Sequence, residues 1–78
     1  MKKKIKLVWQ FYGMDALKIA DHHLVHLKEY IQTEKIVVMD KGTELINELS
    51  AISFIVVENS LVEKLRVALK PQKGFLIK

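Results

Sequence analysis

Imidazole side chains are the groups with the most chemistry to offer in this sequence. All three histidines, His22, His23 and His26, fall within five consecutive positions, which composition alone seldom produces. On an α-helix, residues four positions apart project from the same side, one turn from each other, so His22 and His26 would point together. The spacing predicts a pair of imidazoles on one side of a helix.

Two imidazoles at this spacing can bind zinc, copper or nickel, and a carboxylate on the same flank can supply a third ligand. Glu29 and Asp15 lie on that flank, and we take His22, His26 and Glu29 as candidate ligands of a divalent transition metal. A metalloprotease helix places a glutamate directly after its first histidine, whereas here that position is His23. With no histidine elsewhere and no cysteine, further ligands must be carboxylates or come from a second subunit.

The histidines also admit two other interpretations. His23 lies nearer the apolar side of the helix, beside Ile19 and Tyr30, and is expected to pack at the margin of the core, leaving His22 and His26 solvated or in a subunit interface. Alternatively, the clustered imidazoles handle protons or sense pH, because imidazole titrates near neutrality. The sequence leaves these alternatives open.

No catalytic motif accompanies the histidines. The glycines at 13, 42 and 74 are isolated, so they build no phosphate-binding loop, and the serines lack a nucleophile elbow. The sequence therefore favours a protein that is not an enzyme, with metal or proton chemistry at the histidines as the enzymatic alternative.

The elements that must position the histidines follow from hydrophobic periodicity. Residues 4–11 alternate apolar and polar side chains, which predicts a strand, and a helix is expected from 14 or 15 to about 33. Gly13 suits the turn between them. The core-facing side of the helix is predicted to consist of Leu17, Ala20, Leu24, Leu27 and Ile31.

Further along the chain, residues 36–39 and 75–77 are predicted to be short strands and residues 51–57 a central strand. Residues 59–70 are predicted to form a second helix, with Ser60 and Glu63 as a capping box and Pro71 after its end. Residues 40–50 either prolong the second strand toward a hairpin that turns near Asn47 and Glu48, or form a short helix. The hairpin, which we favour, gives a ferredoxin-like β-α-β-β-α-β sandwich of the α+β class, with a four-stranded antiparallel sheet and two helices on one face. The helix gives an alternating β/α chain with a parallel sheet.

In the favoured fold one face of the sheet has no helix over it. Lys6, Val8, Gln10 and Tyr12 of the first strand would lie on that face, together with alternate residues of the central strand. A partly apolar face in so small a protein indicates dimerisation or capture of a small ligand. The candidate ligand or interface residues are therefore His22, His23, His26, Tyr30, Tyr12 and Gln10.

Length and composition bound the remaining possibilities. With 78 residues, half of them hydrophobic, the chain is predicted to be one domain over 1–78. The absence of cysteine, of a signal peptide and of a long apolar stretch predicts a cytoplasmic protein that does not span a membrane. The net charge of +4, which includes the lysines at 2, 3 and 4, permits weak binding of nucleic acid, but Trp9 and Phe11 are expected in the core and not on an RNA-binding face.

These observations lead to one hypothesis and two alternatives. We expect a non-catalytic binding or assembly module that forms a homodimer through the open sheet face or the histidine-bearing helix and holds a small ligand there. The alternatives are a transition-metal or proton-handling protein and, less favoured, a weak nucleic-acid binder.

Overall fold

The computed structural model describes residues 3–77, so Lys2 and Lys78 lie outside the described part of the chain. It is an α+β structure with four strands, two α-helices and a short 3-10 turn, Asn59–Leu61, before the second helix. No helix within residues 3–77 is long and apolar enough to span a bilayer. In chain order the elements are β1 (Lys4–Tyr12), α1 (Ala16–Glu34), β2 (Asp40–Asn47), β3 (Ser50–Glu58), α2 (Val62–Leu69) and β4 (Lys73–Ile77).

The sheet is antiparallel throughout, with strand order β2-β3-β1-β4. The predicted antiparallel sheet is thus confirmed, and the alternating parallel alternative is wrong. Residues 40–50 form the hairpin, which turns through Glu48 and Leu49 between β2 and β3. The Asn47 side chain stabilises this turn by accepting a hydrogen bond from the Leu49 backbone N–H at 2.9 Å.

The predicted start of the second strand at 36–39 is wrong, because the strand begins only at Asp40, in the segment expected to prolong it. Helix α1 ends at Lys35 in the left-handed conformation, with φ of 54°, and the Ile36 N–H donates to the Ile31 carbonyl at 3.0 Å. Ile36 is buried as part of the connection that follows the helix. Of its apolar neighbours, Val38 packs against the main core, whereas Val37 and Met39 are exposed.

The capping box predicted for the second helix is also wrong. The α-helix starts at Val62, and the Ser60 hydroxyl donates to Glu58 Oε1 at 3.0 Å instead of capping the helix. At the other end of α2, the Trp9 indole N–H donates to the Leu69 carbonyl at 2.9 Å. This bond satisfies a carbonyl of the last helical turn and ties α2 to strand β1.

The main core lies between the helices and one face of the sheet, which we call the inner face. Leu27 of α1 and Leu65 of α2 are buried in one cluster with Leu7 and Trp9 of β1. The predicted stripe on α1 is correct for Ala20 and Leu27, which are buried, whereas Leu17 is exposed. Ala16, one position earlier, is the buried residue, packing in a second small cluster with Ala20 and Ala51.

Candidate functional site

Two surfaces bring the candidate residues together: the sheet face opposite the helices, which we call the open face, and the exposed side of α1. The strand register assigns residues to the open face, because directly paired residues of neighbouring strands point to the same side. Its members are Lys4, Lys6, Val8, Gln10 and Tyr12 of β1, Ser50, Ile52, Phe54, Val56 and Glu58 of β3, Asp40, Gly42 and Glu44 of β2, and Lys73, Phe75 and Ile77 of β4.

A groove of about 200 Å³ crosses the open face from one edge strand to the other. Val8 and Ile52, on the two central strands, are buried although neither helix covers them, whereas Ile46 and Phe75, on the edge strands, are half exposed. Ile46 occupies the irregular position of β2 between Leu45 and Asn47. The groove is lined by these four apolar side chains and by Lys6, Gln10 and Lys73.

Phe54 lies beside the groove and is fixed from two sides. The Lys6 ammonium lies 4.4 Å from the centre of the Phe54 ring, within the range of a cation–π interaction. Gly42, paired with Phe54 on β2, leaves room for the ring, since a Cβ there would lie only 3.2 Å from a ring carbon. Lys6 and Gly42 therefore hold an aromatic side chain in place on a surface that has no helix over it.

Charge on the open face is divided between the two halves of the sheet. The half formed by β1 and β4 carries three lysines, and the half formed by β2 and β3 carries three carboxylates. The separation follows directly from the strand order, because β1 and β4 are neighbours on one side and β2 and β3 on the other. The charged residues are Lys4, Lys6 and Lys73 on one half and Asp40, Glu44 and Glu58 on the other.

The candidates Gln10 and Tyr12 lie on this face, but they differ in their partners. The Gln10 amide donates to the Ser50 hydroxyl at 2.9 Å, and its backbone N–H donates to the Gln72 side chain at 3.1 Å. Tyr12, at the end of β1, is 71% exposed. Gln10 therefore links neighbouring strands, whereas the Tyr12 ring presents contact surface at the rim.

On α1, His22 and His26 are directly joined. Their Nε2 atoms are 3.1 Å apart, and the rings meet edge to face with centroids 4.7 Å apart. Glu29 lies on the other side of His26, with its Oε2 atom 4.0 Å from Nδ1. The carboxylate thus approaches the nitrogen that points away from His22.

His23 has a different environment from its two neighbours. Its Nδ1 atom is 2.7 Å from the Ser53 hydroxyl, which is fully buried, and its ring lies 5.2 Å from the centroids of both Trp9 and Phe11. Burial, and secondarily the nearby His26, lower the pKa of His23 below its usual value of 6.5. His23 therefore packs between α1 and the inner face, where burial disfavours the charged form of its ring.

The remaining candidates do not join the histidine pair. Tyr30 is half buried and packs against the main core. Asp15 lines a surface hollow of about 430 Å³ together with Lys18, Ile19 and His22. All four residues lie on or just before one helix, so the hollow is open on its other sides. Within residues 3–77, no three His, Asp or Glu side chains converge on a point that could hold a metal ion.

Sequence reasoning did not find Ile46, Lys73 and Phe75 as lining residues of the groove. Their own alternation gives little signal, because β2 and β4 are short edge strands that are largely exposed. The missing information was the register: pairing with β1 assigns Lys73 and Phe75 to the open face. Ile46 has no partner in the register, and it lines the groove from the irregular position of β2. Comparison of the chain with protein-family models, curated proteins and solved structures found no match.

Proposed function

We propose that this chain is a non-catalytic assembly module that forms a homodimer through its open face. The observation that carries the proposal is the combination of an apolar groove with a charge pattern that is complementary to itself on the same face. Monomeric proteins seldom leave contiguous apolar surface exposed, and such a patch bordered by polar residues is typical of an interaction site.

The size of the groove favours a second copy over a small ligand. Pockets that bind small molecules usually have volumes of about 300–1,000 Å³ and enclose most of the ligand. The groove on the open face has only about 200 Å³ and runs across the sheet. Protruding apolar side chains of another sheet fill such a shallow groove better than a small molecule does, as in the packing of two β-sheets face to face.

The charge pattern specifies how the two copies face each other. A two-fold axis that runs along the strands, between β1 and β3, places β1 over the partner's β3 and β4 over the partner's β2. Each lysine-bearing half then faces a carboxylate-bearing half. In the register, Lys73 is level with Gly42, so in the dimer it approaches Asp40 and Glu44, the open-face neighbours of that glycine. An axis across the strands would instead place lysines over lysines, which repel.

The chain contains a matched pair of isoleucines for testing the interface. Ile46 on the open face and Ile19 on α1 are 49% and 46% exposed. We expect sedimentation equilibrium at micromolar concentration to show a dimer for the wild type and for Ile19→Lys, and a monomer for Ile46→Lys. A wild-type monomer at about 100 µM, or equal effects of the two variants, would overturn the proposal.

A charge exchange tests the orientation of the dimer. Lys73→Glu and Glu44→Lys should each weaken dimerisation, because each places like charges opposite each other, and the double variant should recover part of the loss. If the two losses simply add, the axis along the strands is wrong. A monomer that binds RNA, with binding abolished by Lys6→Glu, would instead support the nucleic-acid alternative.

We further assign the architecture to the ferredoxin-like class and the protein to the cytoplasm. The element order β-α-β-β-α-β and the antiparallel sheet support the first assignment. The absence of cysteine supports the second, because small secreted domains commonly need disulfides for stability. Both assignments agree with the proposal of a small assembly module.

A further inference from the structure

We propose that His22 and His26 form a two-imidazole chelating site for copper(II) or nickel(II) on the exposed side of α1. The site is independent of the dimer, because its ligands lie on a helix that packs against the inner face. The two Nε2 atoms, 3.1 Å apart, are the ligand atoms.

The distance between these atoms fits joint coordination of one ion. Two nitrogens that bind one metal at about 2.0–2.1 Å, with an angle of about 90–110° between the bonds, are roughly 2.8–3.4 Å apart. The observed 3.1 Å lies inside this range. In this structure the Nε2–H of one ring donates to the Nε2 of the other. Binding therefore requires the donor ring to change tautomer, so that it carries its proton on Nδ1, and both Nε2 lone pairs to turn toward the ion.

The second nitrogen of His26 is suitably placed to support the coordinating one. Glu29 Oε2 lies 4.0 Å from Nδ1, beyond direct hydrogen-bond distance, so its negative charge acts on the ring only electrostatically and favours the tautomer that carries its proton on Nδ1 and leaves Nε2 free for the metal. Glu29 is thus a positioning residue and not a ligand, which revises its expected role. His23 is withdrawn from the site by its hydrogen bond to Ser53.

The number of ligands decides which metals fit. Structural zinc sites use four protein ligands and catalytic zinc sites three, but no third His, Asp or Glu joins the histidine pair among residues 3–77. Copper(II) and nickel(II) accept two adjacent nitrogens in a square-planar or tetragonal arrangement and complete it with water. Copper(II) should bind most tightly, following the usual order of stability for divalent metals.

The test is calorimetric titration of the tag-free, full-length protein with copper(II), nickel(II) and zinc(II) chlorides. We expect one copper(II) per chain and weaker binding of nickel(II) and zinc(II). His22→Gln or His26→Gln should weaken copper binding by about 100-fold, because the second imidazole no longer binds within the same molecule. The matched control is His23→Gln, which removes the histidine between them and should leave the affinity unchanged.

Electron paramagnetic resonance of the copper complex gives a second readout. It should show coupling to two equivalent imidazole nitrogens, reduced to one by either His22→Gln or His26→Gln, and circular dichroism would check that the variants remain folded. Glu29→Gln should weaken binding by less than either histidine variant, because the carboxylate is exposed and makes no hydrogen bond to His26. Copper affinity unchanged in His22→Gln, or equally reduced in His23→Gln, would overturn the proposal. The dimer test with Ile46→Lys is unaffected by either result.

Discussion

The two faces of the sheet use the same strands but differ in how their apolar side chains are covered. Ile55 on the inner face and Ile52 on the open face belong to the same strand, β3, and are 0% and 8% exposed. Helices α1 and α2 cover the first, whereas only neighbouring side chains shelter the second. Both faces are therefore apolar at the centre, and they differ in what lies above them.

The edge strands are half exposed on both faces of the sheet. Ile46 and Phe75, on the open faces of β2 and β4, are each half exposed, although both line a groove with buried central residues. Leu45 of β2 and Leu76 of β4, which the register assigns to the inner face, are 55% and 53% exposed, so the helices cover that face only at its centre. There its polar side chains are also paired, since Ser53 meets His23 and the Trp9 indole donates to a helix carbonyl. The two faces therefore differ at the centre of the sheet, where helices cover the inner face and no helix covers the open face.

The two isoleucines of β3 give the largest expected effect. Ile55→Ala should lower the free energy of unfolding by about 2–5 kcal/mol, because it opens a cavity in a packed core. Ile52→Ala should lower the free energy of unfolding by less than Ile55→Ala does in dilute protein. Its own effect should be larger at concentrations where the dimer forms. Urea unfolding at two protein concentrations checks this. Equal costs for Ile52→Ala at both concentrations would mean that the open face stays uncovered.

Trp9→Phe tests a polar contact of the inner face and should have the next largest effect on the free energy of unfolding. The change keeps an aromatic ring but removes the N–H that donates to the Leu69 carbonyl. We expect a loss of about 1–3 kcal/mol, because a partly buried acceptor is left without its partner. Dimer affinity should not change, since Trp9 lies on the inner face. Unfolding and sedimentation experiments on the same variant separate the two quantities.

Sequence patterns predicted the elements that carry their own hydrophobic periodicity. β1 alternates with a period of two, α1 has an apolar stripe, and β3 is a continuous apolar run, so each was placed close to its observed position. The misplaced strand at 36–39 shows the limit of this signal. An apolar segment can be buried as a connection, and the true second strand, Asp40–Asn47, is an exposed edge strand whose existence depends on pairing with β3.

The candidate sites also combine features that depend on local spacing with features that depend on how distant segments pair. Helical spacing alone placed His22 and His26 together and His23 toward the core, because those relations are local. Local spacing did not reveal the Ser53 partner of His23, which lies 30 positions away, or the groove, which needs all four strands in register. The charge separation on the open face could not be predicted from the sequence either, because it depends on strand order and not on sequence order.

The environment of His23 predicts a pH dependence of stability that belongs to the inner face. Its pKa is lowered in the folded protein, mainly by burial, from about 6.5 in the unfolded chain. Below about pH 6.5 the unfolded chain therefore binds more protons, so the free energy of unfolding should fall as pH falls through the lowered pKa, and it should be fully retained above about pH 6.5. Urea unfolding between about pH 7.5 and 5 measures the slope. His23→Gln should flatten it, and an unchanged slope in that variant would assign the effect to other groups.

The smallest expected effect concerns Lys6 and Phe54 on the open face. Lys6→Met keeps most of the apolar stem but removes the charge that lies 4.4 Å from the Phe54 ring centre, which should cost about 0.5–1 kcal/mol in the monomer. Lys28→Met on the exposed side of α1 is the control, because Lys4 of β1 is paired with the opposite charge of Glu58 and would lose that neighbour as well. Unfolding of both variants at low concentration and low salt isolates the difference. Equal costs would show that Phe54 is held by Gly42 and the sheet alone, so that the open face, like the inner one, is ordered by packing without help from its charges.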